Sequence, residues 1–226
     1  MKRWQLSLAL AGAALVAVLA GFATYRALPK TGAGFHGTTY EEVAPAAPFR
    51  LTNQDGRAVT LESYRGTPVL LFFGYTQCPD VCPLTLDKLS RAIRDAGEDA
   101  QDTRVVLVTV DPARDTPAAL KAYVARFGPR ASGLTGDSAS LAEAWRGYGA
   151  YVNPQPVPAP AAAAHGDHGS QHAGDHGSAP AAAKAPQVAH SGVVYGIDRE
   201  GNLQVVISDR ATVEQTRDDV RTLSRL

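Results

Sequence analysis

The chain has 226 residues, with 22 basic and 22 acidic side chains and no net charge at neutral pH. It carries no basic stripe or aromatic platform, which argues against a nucleic-acid partner. There is no Walker loop, dinucleotide fingerprint or serine-nucleophile elbow, so the commonest phosphate-binding and hydrolase chemistries are excluded.

Lys2 and Arg3 precede an uncharged, largely apolar run of 18 residues from Leu6 to Ala23. This length suits a short membrane span and is long for the apolar core of a cleaved signal. Residues 1–28 therefore read as a single-span anchor in a bacterial inner membrane, with the basic end in the cytoplasm and the remainder in the periplasm. The alternative is a soluble periplasmic protein released by cleavage after Ala20 or Ala23. No cysteine follows the run closely, so a lipoprotein anchor is not supported.

Residues 29–47 read as a linker in which His36 is solvated, and 48–226 as one globular domain. Phe49 to Leu51 and Val59 to Leu61 flank a turn at Asp55 and Gly56, the pattern of a hairpin. Val69 to Tyr75 is a strand, and Pro83 opens a helix to Ala96 carrying Leu84, Leu89, Ala92 and Ile93. Val105 to Val110 is a continuous apolar run of the kind buried on both faces of a sheet. Thr116 is expected to cap a helix from Pro117 through Phe127, and Ser138 to Tyr148 is a further helix. A hairpin of Val193 to Ile197 and Leu203 to Ile207 turns around Glu200 and Gly201, and a helix over Thr212 to Leu223 closes the chain. Strands alternating with helices and ending in a hairpin predict an α/β domain with a central mixed sheet flanked by helices.

Both cysteines, Cys78 and Cys82, lie in FFGYTQCPDVCPLTL (Phe72 to Leu86), where the strand passes into the helix. Each precedes a proline, Pro79 or Pro83, which biases it away from helical dihedrals and predicts a short loop that folds the sulfurs together. A helix start offers unpaired N–H groups and partial positive charge, so the thiols are expected to favour the thiolate. A structural disulfide closing so small a loop would remove only about 2 kcal/mol of unfolded-state entropy. The four-residue step also differs from the Cys-x-x-Cys of thioredoxin-type redox enzymes and leaves more room for a shared metal.

This segment resembles the Sco/SenC copper proteins that assist assembly of cytochrome c oxidase. Gly74, Tyr75, Thr76, Cys78, Pro79, Asp80, Val81, Cys82 and Pro83 match that family's signature, with Gln77 at its variable position. Two further blocks match in order, VDPARDTP from Val110 to Pro117 and HSGVVYGID from His190 to Asp198. The resemblance implies a thioredoxin-like fold and one copper ion per chain, held by Cys78, Cys82 and His190. It also implies an oxidase copper-binding subunit and a copper donor chaperone as partners. Where thioredoxin-like enzymes usually place a cis-proline, Ala189, His190 and Ser191 stand here. Two thiolates and an imidazole suit cuprous ion, whereas zinc would seek a fourth ligand from water, Asp80 or Asp111. Asp111, at the carboxyl end of a central strand, is a candidate to steer a ligand or partner from behind the ligands. Asp115, Thr116 and Pro117 read as a strand end and helix cap, and Tyr75 and Thr76 as scaffolding.

An insertion over residues 153–187 departs from the family pattern. It begins and ends in Pro and Ala and contains HGDHGSQHAGDHG, with His165, His168, His172 and His176. Such composition predicts a disordered loop. Its imidazoles read either as an auxiliary, weaker metal collector or as an exposed polar linker. Two functions follow from the whole pattern: a metallochaperone that delivers copper to an oxidase, or a thiol-disulfide oxidoreductase that uses Cys78 and Cys82 alone. His190 separates them, since a dithiol reductase does not need it.

Overall fold

The computed structural model describes residues 34–150 and 192–226. The N-terminal apolar run, the insertion with His165, His168, His172 and His176, and His190 lie outside the described residues. Among the described residues no helix is long and apolar enough to cross a membrane.

In chain order the strands are β1 (Ala44–Pro45), β2 (Arg50–Asn53), β3 (Ala58–Thr60), β4 (Val69–Gly74), β5 (Arg104–Thr109), β6 (Ala131–Thr135), β7 (Val194–Ile197) and β8 (Asn202–Ile207). The helices are α1 (Val81–Ala96), α2 (Pro117–Val124), α3 (Ser138–Gly147) and α4 (Val213–Ser224). All eight strands join one mixed sheet in the order β1-β8-β7-β4-β5-β6-β2-β3. β4, β5 and β6 run parallel, β7 lies antiparallel to β4, and the β2–β3 hairpin docks antiparallel on β6.

The centre is where the apolar runs fall. Every residue of β4 is buried, and five of the six in β5, as a strand covered on both faces requires. Fully burying each Leu, Val or Phe here contributes about 1.5–3 kcal/mol. α1 lies against α4, and its buried face is Cys82, Thr85, Leu86, Leu89, Ala92, Ile93 and Ala96, a 3–4 residue repeat. The Thr116 hydroxyl accepts from the Ala119 amide and caps α2 as expected, and Thr212 with Gln215 forms a capping box on α4.

Three local features differ from expectation. α1 starts at Val81, so Cys82 stands in its first turn despite the proline that follows. Pro83 has no N–H to lose there, and the first helical bond runs from Leu84 N to Asp80 O at 3.3 Å. Leu84 faces outward, 65% exposed, because it falls between the turns of the buried stripe that Cys82, Leu86, Leu89 and Ile93 form. The strand β6 has no strong strand signature, because its sequence is ASGLT. A Cβ at Gly133 would approach the Leu120 side chain of α2 to 3.0 Å, so helix packing requires a residue that carries no strand propensity. Finally, residues 34–47 lie on the sheet edge. Thr38 and Val206 exchange backbone bonds of 2.9 and 2.8 Å, β1 pairs with β8, and Ala46 is buried. His36, expected to be solvated, lies with its Nε2 3.7 Å from Asp218 while remaining about half exposed.

Candidate metal centre

β4 delivers the chain to the cysteines. Its last bond to β5's side is Val110 N to Gly74 O at 2.8 Å, after which Tyr75 is buried and the Cys78 amide turns back to Tyr75 O at 3.3 Å. The Cys82 amide, in the first turn of α1, donates to Cys78 Sγ at 3.3 Å. The two sulfurs are thereby held at one place, and no disulfide joins them. Gly74 makes this possible: a Cβ there would lie 2.9 Å from Cys82 Sγ and 2.8 Å from the Phe72 ring. The Cys82 sulfur therefore occupies the space over the end of β4 that any other residue would fill.

At Cys82 the thiol chemistry differs from the expectation of a helix-promoted thiolate. Burial pushes the Cys82 thiol up, hydrogen bonding with Cys78 adds to this, and a backbone bond with Tyr75 opposes both. Cys82 is fully buried, so desolvation wins over the helix terminus.

The VDPARDTP block is a turn rather than a simple cap. The Asp115 amide donates to Asp111 O at 2.9 Å, which swings the Asp115 side chain beneath the cysteine loop. Its carboxylate accepts from Thr76 Oγ1 at 2.6 Å, from the Thr76 amide at 3.2 Å and from Thr109 Oγ1 at 2.6 Å. Asp115 thus does more than end a strand. Asp111 is buried but turned to the Arg114 Nε, with which it pairs. Asp80 occupies the N-cap position of α1, exposed and without a side-chain capping bond.

Tyr123 on α2 carried no sequence signal. Its hydroxyl is buried with no hydrogen-bond partner among the described residues, and its ionisation is disfavoured first by burial and then by the nearby Cys82 and Cys78 sulfurs. On the other flank, Phe73, Tyr148 and Tyr195 pack with ring centroids 5.2–5.9 Å apart. The Tyr195 hydroxyl donates to Tyr148 O at 2.7 Å, which ties β7 to the end of α3. Beside the pair, Asp80, Val81, Leu84, Thr85, Lys88 and Asp209 line a groove of about 220 Å³.

Two soft sulfur donors in one buried corner suit a soft metal. Among the described residues no three His, Cys, Asp or Glu side chains form a metal cluster, and the third expected donor, His190, lies outside them. The SCO1/SenC family profile matches residues 38–174, which include both cysteines and the VDPARDTP turn and end before His190. The chain belongs to the SCO1/SenC family. The mitochondrial SCO2 homologue of Bos taurus is 41% identical over 110 residues, 48% of this chain and 41% of that protein. The chain thus matches about two fifths of that relative's length. Bradyrhizobium japonicum ScoI with copper bound is 34% identical, with a TM-score of 0.60 over 80% of this chain and 99% of that one. BsSco, described as a Sco-family cytochrome c oxidase assembly protein with a disulfide switch, is 23% identical, with a TM-score of 0.58 over 85% of this chain and 98% of that one. At that identity it speaks for the fold alone, which is the expected thioredoxin-like mixed sheet with flanking helices.

Proposed function

We propose that this SCO1/SenC protein is a copper metallochaperone that delivers copper to the copper-binding subunit of a cytochrome c oxidase and assists its assembly. Copper is its cargo, received from a donor chaperone and held one ion per chain by Cys78, Cys82 and His190. The observation that carries this reading is the soft sulfur pair buried over Gly74 and linked by the Cys82 amide, in a chain whose Bradyrhizobium relative was solved with copper bound.

The register supports His190 as the third donor. Val194 pairs with Phe72, so the strand after His190 starts beside the end of β4 that leads to the cysteines. His190 lies four residue steps before Val194, a reach of at most about 14 Å. Copper supplies a cation that only the deprotonated sulfurs bind strongly. The protein's part is to surrender the thiol protons, hold the sulfurs together and exclude water through Tyr75 and Gly74. Asp80 and Asp111 serve to steer the ligand or partner. His165, His168, His172 and His176 form a weaker auxiliary collector, because ligands on an unstructured chain pay an ordering cost and lack sulfur. The exposed Val81 and Leu84 beside Cys82 offer an apolar contact for the oxidase subunit.

Copper titration with absorption spectroscopy tests the assignment. Cys78→Ser and Cys82→Ser are expected to abolish tight one-copper binding, and His190→Ala to weaken it and change any cupric spectrum. A His190→Ala protein with wild-type affinity and spectrum defeats the ligand set. A second reading, thiol-disulfide oxidoreductase, is favoured by the two unbridged thiols and the thioredoxin-like sheet. It is distinguished by His190→Ala, which it predicts will keep full activity in oxidase assembly. The domain is placed in the periplasm on an N-terminal anchor, and a mature mass beginning after Ala20 or Ala23 would overturn the anchor.

A further inference from the structure

We infer that Asp115 is a positioning residue for the copper site, acting through Thr76 to fix where Cys78 stands; the inference rests on the copper reading above. The carboxylate is fully buried and lies 39 residues from Thr76 in the chain. It accepts from both the Thr76 hydroxyl and the Thr76 amide, so it fixes the backbone as well as the side chain two residues before Cys78. Its third donor, Thr109, ends β5, and the Thr109 hydroxyl itself accepts from the Asp111 amide at 2.9 Å. That bond leaves the Thr109 hydrogen to point at Asp115. Every partner therefore donates, and the group acts as an acceptor-only carboxylate.

The bracket is rigid on its other side. Trp145 Nε1 donates to Thr109 O at 3.1 Å, and Thr109 lies opposite Gly74 in the parallel ladder. Asp115 thus spans the last residue of β5 and the first turn of the cysteine loop. The Cys82 sulfur is fixed independently, by α1 and by the gap at Gly74. Cys78 stands on a loop segment with fewer local constraints: its own amide bond to Tyr75 O is long, at 3.3 Å. Together with the Cys82 amide bond to Cys78 Sγ, the Asp115 bracket sets the Cys78 sulfur against the Cys82 sulfur before metal arrives, so that little ordering cost remains on binding.

The test compares full-length wild type with Asp115→Asn, Thr76→Val and Thr109→Val, and with Leu120→Ala as a variant that only weakens packing. Without metal, Asp115→Asn is expected to raise amide exchange over residues 75–82 and the alkylation rate of Cys78 by about tenfold, the factor carried by one lost buried hydrogen bond. With copper, its affinity should fall about 10- to 100-fold and its sulfur-to-copper absorption should shift. The two valine variants should follow in the same direction with smaller effects, and they decide the matter should Asp115→Asn not fold. Leu120→Ala should lower the unfolding midpoint and leave the copper spectrum unchanged. Wild-type exchange, alkylation and spectrum in the Asp115, Thr76 and Thr109 variants would overturn the inference. A wild type that binds no copper would instead defeat the metallochaperone reading, while the metal-free readouts would still decide whether Asp115 positions Cys78.

Discussion

Two fully buried aspartates do similar work at two places. Asp115 accepts from the loop that carries Cys78, and Asp219 on α4 accepts from the His36 and Gly37 amides at 2.5 and 3.1 Å, holding the segment that precedes β1. Both have carboxyls raised above the ordinary value, with burial as the first cause. The partners differ. Asp115 adds two hydroxyls, Thr109's at the end of β5 and Thr76's in the cysteine loop, whereas Asp219 takes two backbone amides and stands beside a surface ion pair of Asp218 with Arg217. The contrast teaches that a buried carboxylate is this fold's means of pinning irregular backbone, and that only one of the two is connected to the sulfurs.

The largest expected effect breaks that contrast at its chemical end. Cys82→Ser should remove tight copper binding altogether while hydrogen exchange of the His36 and Gly37 amides stays as in wild type; a loss of protection at both ends would show the two regions to be coupled. Next is Gly74→Ala, which forces a Cβ to within 2.9 Å of the Cys82 sulfur. It should cost about 1–3 kcal/mol of stability through overpacking and weaken copper binding as well. Denaturant unfolding and copper titration of one preparation check both.

Asp219→Ala should act in the opposite way, leaving copper affinity unchanged and opening residues 34–47 to proteolysis. Leaving buried amides unsatisfied costs about 1–3 kcal/mol, and a drop in copper affinity would contradict the separation. The smallest effect is a slope. A carboxyl whose folded value is raised contributes most below its unfolded value, here near 3.8, and loses that contribution as pH rises through the folded value. The stability of wild type minus that of Asp219→Asn should therefore decline as pH increases from about 3 through the carboxylate range and then level off. Unfolding midpoints across that range test the sign.

Periodicity served well where burial alone decides structure. Val69 to Gly74 and Val105 to Thr109 announce themselves as core strands because both of their faces are covered, and Thr116 announces a cap because its hydroxyl directly precedes a proline-started helix. β6 escaped because Gly133 is chosen for Leu120's approach, a demand from another element. Leu84 was misjudged because it stands five residues from Leu89, off the 3–4 residue stripe that is buried, and the start of α1 was missed because a proline at its third position is silent about two earlier residues. The cysteine pair was legible as a site, while the raised Cys82 thiol was not, since burial of Cys82 is a property of the assembled fold. Asp115 was read as a terminus because its donors, Thr76 and Thr109, become neighbours only when β4 and β5 lie side by side.

The edge pairing at Thr38 has a consequence for reach. Thr38 is level with Val206, Val206 with Tyr195 and Tyr195 with Leu71, whereas Ala44 is level with Leu203 and so with Ile197 and Val69 at the far end. The chain thus joins the sheet nearer to Gly74 and the sulfurs, then runs away from them. If the apolar run to Ala23 is held in a bilayer, the ten residues from 24 to 33 extend at most about 35 Å. The sulfur-bearing end of the domain is then the end on the short leash, so the cysteine pair would be confined to a shell near the membrane surface and would search for a partner at that surface in two dimensions instead of three.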